Sequence, residues 1–306
     1  MNISAMKKGL LVLIASVCFL TSDAQFNYGY KNDDVPVVGT QYGVVGGGHS
    51  AGIYNRDDME STQLSPEIMN FTYFGGVERI RWYTPWFGLG QQALLWNAGA
   101  KYTGRFDTTE SSPTLTGATR LTYAKMPVLF WFKSFNRYNP ERRLRVNTFF
   151  GPYIALLLEA EEDYRIMVPS GDTTINTDFT FNGSGLRATD QDGNEVASSS
   201  LINPGPVANI IDWGFTMGAG IEMRLWRKTV VGLTLRADLG MTDVERKGVR
   251  VNDLATGVEY NYYQDISAKY FNLTSAVGPN YEQNRPVSRN YSFGAQLSIR
   301  KYFGVD

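Results

Sequence analysis

The stretch "DWGFTMGAGIEMRL", residues 212–225, divides into two unlike rows. Trp213, Phe215, Met217, Ala219, Ile221, Met223 and Leu225 form a wholly apolar row. Asp212, Gly214, Thr216, Gly218, Gly220, Glu222 and Arg224 form a row of small and polar residues. A period of two marks a β-strand with two different surroundings. After "RKT" (227–229) the next segment, "VVGLTLRADLGMT", repeats the division. Val231, Leu233, Leu235, Ala237, Leu239 and Met241 oppose Gly232, Thr234, Arg236, Asp238, Gly240 and Thr242. The C-terminal "YSFGAQLSIR" does so again, with Tyr291, Phe293, Ala295, Leu297 and Ile299 apolar and Arg300 ending the other row.

An inner row of small and charged residues is a poor filling for a protein core. The apolar row is therefore expected to face lipid. The N-terminus agrees with export. Lys7 and Lys8 precede an apolar run from Gly9 to Leu20, and Ser22-Asp23-Ala24 fits a small-x-small cleavage site. Residues 1–24 read as a signal peptide cleaved near Ala24, leaving 25–306 as one domain. Cys18, the single cysteine, lies inside that signal, and Val17 before it does not suit lipidation. The mature chain then has no thiol for disulfides, catalysis or metal binding. Beyond Leu20 no apolar run approaches the roughly 18 residues of a membrane helix. A spanning form must be a closed barrel.

Upstream, "LRVNTFFGPYIALLLEA" (144–160) alternates, with Leu144, Val146, Phe150, Ile154, Leu156 and Leu158 on one side and Arg145, Asn147, Tyr153 and Glu159 on the other. Pro152 cannot donate to a ladder, so an irregularity is expected there. "LTYAKMPVLFWFK" (121–133) is its expected partner. Strands near 41–54, 68–83 and 87–105 are noisier, and the faces of His49 and Glu78 are not fixed by parity. Short links near 84–86, 134–143 and 227–229 alternate with long ones near 55–67, 107–118, 166–210 and 245–288. That is the plan of an outer-membrane barrel, with short periplasmic turns and long external loops. The expected fold is all-β, an antiparallel transmembrane up-and-down β-barrel of eight strands. Ten remain the alternative, because "TINTDFTF" and "VEYNYYQDISAKYFNL" also alternate and suit hairpins above the membrane. A secreted β-sandwich is the other architecture compatible with the pattern. Trp82, Tyr83, Trp86, Trp226, Tyr302 and Phe303 gather near the short-turn rim and Trp213 near the other, as aromatic girdles do.

The Gly-rich "YGVVGGGHSAGI", the segment "LTYAKMPVLFWFK" and above all "FFGPYIALLLEAE" resemble the PorT-like outer-membrane β-barrel proteins of Bacteroidetes. The resemblance extends over most of the mature chain as a strand pattern. It implies an eight-stranded barrel, and one branch of that family is linked to the type IX secretion and gliding apparatus. Lys125 departs from the pattern, standing where many members carry an acidic residue.

The charges on the inner rows form the candidate site: Arg145, Glu159, Glu222, Arg224, Arg236, Asp238 and Arg300. The 226–230 turn is expected to set Glu222 opposite or diagonal to Arg236. In a narrow lumen such ions must pair, so a structural salt-bridge plug is expected rather than an ion path. Catalysis by hydrolysis needs a base, and the single histidine, His49, has no Ser or acidic partner by any motif. "RDDMES" (56–61) and "DQDGNE" (190–195) offer carboxylates but read as solvated external loop, the second lacking the spacing and closing Glu of a calcium loop, and "GVVGGG" is not a phosphate loop. No enzyme activity, cofactor or metal is expected. The net charge of −1 carries no field for nucleic acid. Expected partners are outer-membrane lipid and lipopolysaccharide, the barrel-assembly machinery through the terminal aromatic Phe303, and an envelope protein through loops 166–210 and 245–288. The alternative functions are a small transport channel and, more remotely, a barrel-embedded hydrolase.

Overall fold

The computed structural model describes residues 38–55, 64–67, 70–105, 114–134, 143–170, 173–182, 185–189, 195–201, 208–226, 228–245, 250–253, 259–261 and 287–303. The signal peptide, Cys18, 56–61 and all of 190–195 except Glu195 lie outside them. Eight long strands form the wall. They are β1 (Gly39–Tyr54), β2 (Asn70–Trp82), β3 (Phe87–Arg105), β4 (Thr114–Lys133), β5 (Leu144–Ser170), β6 (Ile211–Trp226), β7 (Thr229–Gly240) and β8 (Arg289–Phe303). Each pairs antiparallel with its neighbour in sequence. β8 pairs with β1 from Thr40↔Phe303 to Tyr54↔Arg289 and closes the ring. Closure gives every strand in the wall two partners and removes the free edges that lipid cannot solvate.

The short links and both ends of the ring, Gly39 and Phe303, share one end, and the long connections share the other. Above that far end the sheet continues. Residues 161–170 of β5 pair with Thr173–Asn182, and the ladder passes on through Gly185–Thr189, Glu195–Leu201, Arg250–Asp253 and Glu259–Asn261. The 173–182 hairpin therefore extends the wall, as its alternation suggests. It does not enter the ring, because β6 pairs directly with residues 144–156 of β5. Eight strands, not ten, make the barrel.

The outer wall is apolar where β6, β7 and β8 predict it. Trp213, Phe215, Met217, Ile221, Leu233, Leu235, Phe293, Leu297 and Ile299 all face outward and are exposed. An exposed apolar band around a closed barrel belongs in a bilayer, not in water. Tyr83, Trp86, Trp226 and Phe303 are exposed at the short-turn rim, as a girdle requires. Trp82 and Tyr302 are not part of it. Both point inward and are buried, since they share inner-row parity with Ile80 and Arg300.

The irregularity expected at Pro152 lies elsewhere. Register across it is unchanged, with Pro127↔Tyr153 and Phe130↔Phe150. The shift comes where Thr122 pairs Glu159 but Tyr123 pairs Leu157, leaving Leu158 as the extra residue. A bulge reverses parity beyond it. Glu159 consequently faces out and is exposed, while Ala160 faces in.

The interior is filled by two apolar layers with charges between them. The layer toward the short turns holds Ile80, Trp82, Leu129, Trp131, Phe149 and Tyr302. The layer toward the long loops includes Phe74, Trp96, Leu121, Tyr123 and Leu157, and Val244 and Ala208 from the connecting segments join it. Glycine makes this possible. A Cβ on Gly43 or Gly232 would lie 2.7 Å from the Arg300 side chain, so both strands leave that guanidinium its space. Gly99 (φ +139°) adopts a backbone conformation that few other residues tolerate, and a Cβ there would strike the Thr119 carbonyl.

Candidate functional site: the lumen charge network

Between the two apolar layers a single polar chain crosses the lumen. Its centre is Asp238 on β7. Lys125 Nζ, from β4, donates to Asp238 Oδ1 at 2.6 Å. Arg236 Nε donates to Oδ2 at 2.9 Å and Nη2 to Oδ1 at 3.1 Å. The hydroxyls of Thr216 and Ser292 donate to the same carboxylate. All five side chains are buried. Arg236 and Asp238 share a face because they stand two apart on one strand.

The chain continues through Arg236. Its Nη1 donates to Oε1 of Gln92 on β3 at 2.8 Å and to Oε1 of Gln296 on β8 at 2.9 Å. Gln92 Nε2 donates to Glu78 Oε2 on β2 at 3.1 Å. Arg300 on β8 then bridges two carboxylates. Its Nε lies 3.6 Å from Glu78 Oε1, and its Nη2 donates to Glu222 Oε2 on β6 at 3.4 Å. Six of the eight strands contribute a member. The cations also lie against rings: Lys125 over Trp96 (4.0 Å) and Tyr153 (3.8 Å), Arg236 over Trp96 (4.8 Å), Arg300 over Trp131 (5.2 Å). Desolvated cation–π contacts of this kind contribute up to about 2 kcal/mol each. Guanidinium groups, an ammonium and indoles crowd the lumen at this level.

Toward the long loops the network has a second centre, Asp212. It accepts from Tyr153 OH at 3.1 Å, from the Thr242 hydroxyl and from Asn290 Nδ2 at 3.4 Å. Between Asp212, Asp238, Lys125 and Asn290 lies a cavity of about 10 Å³, enough for one water centre and no larger ligand. Above it, Ser288 ties three segments. Its hydroxyl accepts from Asn55 (2.7 Å) and donates to Glu245 (2.7 Å), and its amide donates to Asp243 (3.1 Å).

Of the sequence-selected residues, Arg145, Glu222, Arg236, Asp238 and Arg300 are buried in the lumen. Arg224 is half-buried at the short-turn end, and Glu159 lies outside the network on the outer wall. Glu222 and Arg236 are not paired. The hairpin is tighter than expected, with Trp226↔Thr229 at its tip, so Glu222 sits opposite Gly232 and Arg236 opposite Gly218. Phe303 ends β8, exposed, with its ring 5.6 Å from that of Tyr42. Lys125, Glu78, Gln92, Gln296 and Thr216 complete the network and were not selected. Lys125 carries a readable signal, because it shares parity with Leu121 and Tyr123 in an alternating segment.

His49 lines the lumen. Its Nε2 lies 2.7 Å from the Asn97 carbonyl oxygen and 2.7 Å from Thr72 Oγ1, and its ring stacks on Trp96 at 4.2 Å. Neither polar partner is an acid or a nucleophile poised by one. Among the described residues no three His, Cys, Asp or Glu side chains converge into a metal-binding group.

Three solved outer-membrane structures are similar in fold at very low identity. Neisserial surface protein A shares 8% identity over 87% of this chain and 99% of its own, with a TM-score of 0.30. The outer membrane protease OmpT of Escherichia coli shares 8% over 89% and 99%, with a TM-score of 0.35. The attachment invasion locus protein Ail of Yersinia pestis shares 7% over 85% and 99%, with a TM-score of 0.28. No curated protein matches the sequence. Residues 32–246 match the model of the outer membrane protein beta-barrel domain, a span that includes seven of the eight wall strands, β1 to β7. The chain belongs to that family of outer membrane β-barrels, and its place is the bacterial outer membrane.

Proposed function

We propose that this barrel is a closed, non-enzymatic component of an envelope complex, with its sheet extended outside the membrane to meet a protein partner. The observation that carries the reading is the filled lumen, in which Lys125, Asp238, Arg236, Glu78, Arg300 and Glu222 are joined, with Gln92 as a link, across six strands. A barrel held shut by buried ion pairs works through its surface, and that speaks against the small-channel alternative. The only histidine is occupied in packing, which speaks against a hydrolase. The extension beyond the rim, from β5 through Glu195–Leu201, supplies the surface. The resemblance to PorT-like barrels favours a secretion or gliding apparatus as the complex. Export would follow cleavage near Ala24, and Phe303 would serve as the terminal aromatic read by the assembly machinery.

Replacing residues 173–201 by a short Gly-Ser linker leaves the ring closed, because no wall strand lies within that segment. The expected result is a folded barrel that no longer co-purifies with a stoichiometric envelope protein from cross-linked membranes. Absence of any stoichiometric partner of the unaltered protein, with the deletion harmless to growth, would overturn the reading.

A further inference from the structure

The short-turn end of the lumen holds a second polar group that the central network does not use. Lys133, the last residue of β4, is buried. Its ammonium has one oxygen partner among the described residues, the phenol of Tyr302 at 3.2 Å, and it lies 3.7 Å from the Trp82 ring centre. Among the described residues no carboxylate meets it within ion-pair distance. A buried ammonium is ordinarily matched by an anion, because the desolvation of an isolated one is severe.

The neighbours of this bridge point the same way. Asn147 faces Lys133 across the β4–β5 ladder, and Gln41 faces Tyr302 across the β1–β8 ladder. Both amides are 1% exposed, and neither the nitrogen nor the oxygen of either finds a partner. The indole N–H of Trp82 is likewise buried without an acceptor. Glu222, Arg145, Arg300 and Arg224 are the charged side chains near this end of the lumen, and the three arginines have interactions of their own. Glu222 is already bound to Arg300. Among the described residues, the group lacks a counter-charge paired with Lys133.

We infer that Lys133, Asn147 and Gln41 form a binding site for a small anion, a halide or a single carboxylate group, at the periplasmic end of the lumen. The anion would take N–H bonds from Lys133 Nζ and the two amides, while Tyr302 keeps its hydroxyl contact with the ammonium. The site lies on the far side of the central network from the external loops, so it does not depend on whether those loops hold a partner.

Bromide is the probe. Crystals of the detergent-solubilised barrel grown in sodium bromide should give an anomalous peak within hydrogen-bond distance of Lys133 Nζ and Asn147. Water alone at that position would overturn the inference. In solution, exchange of gluconate for bromide or acetate at constant ionic strength should raise the unfolding temperature. Bromide and acetate separate the halide from the carboxylate arm. Lys133→Gln should weaken the anion's effect roughly tenfold or more, the size of a lost charge-assisted bond. Asn147→Leu, which keeps the charge, should weaken it less. An equal rise in both variants would assign the effect to the surface and contradict the site.

Discussion

Asp238→Leu is expected to destabilise the folded barrel by about 3–5 kcal/mol, the range for removing one partner from a buried ion pair. The carboxylate receives Lys125, both edges of Arg236 and two hydroxyls. Its loss leaves two buried cations without their ion-pair partner among the described residues, and apolar layers lie on either side of them. Urea unfolding of the refolded barrel in detergent, followed by tryptophan fluorescence, reads the change. A loss under about 1 kcal/mol would mean that the site behaves like an exposed pair. Adding Lys125→Met and Arg236→Met to Asp238→Leu should recover much of the stability. Replacing a whole buried ionic group by apolar side chains of similar volume is often neutral or better.

Arg300→Met should be comparably severe, about 3–5 kcal/mol, for the opposite reason. It removes the guanidinium that bridges two buried carboxylates, Glu78 and Glu222. It also empties the space that Gly43 and Gly232 leave for it. Poor insertion and loss of the heat-modifiable folded band on gels are the expected readout. The control is one residue away. Lys301 has the opposite parity and is exposed on the outer wall, so Lys301→Met should change stability by no more than about 0.5 kcal/mol. Equal effects at 300 and 301 would contradict the assignment of inner and outer rows.

The contrast between these neighbouring residues also shows what the sequence reveals and what it hides. In β6, β7 and β8 the outer row meets lipid and the inner row as far as Arg300 is mostly small, polar or charged, so alternation alone assigns those faces. In β2 to β5 the inner row carries Trp82, Trp96, Trp131 and Phe149. Lipid and an aromatic filling both select apolar residues, and the two rows then look alike. That is why Glu78, Gln92 and Lys125 escaped selection and why Trp82 resembled a girdle residue, as did Tyr302, the aromatic near the end of β8's inner row. Glu159 was misplaced for a different reason. A single inserted residue, Leu158, reverses parity, and no local composition marks a bulge in an aliphatic run. The pairing of Glu222 depended on the length of one turn, which parity does not determine.

Planar-bilayer recording of the purified barrel tests the central claim, that the lumen is closed by its own ion pairs and rings. The unaltered protein should show no steady conductance across the whole range of voltage at which the bilayer survives, in low and high salt alike. Reproducible single-channel steps from the unaltered barrel would show that the Lys125–Asp238–Arg236 and Glu78–Arg300–Glu222 groups part or leave a path between them, and would contradict the account.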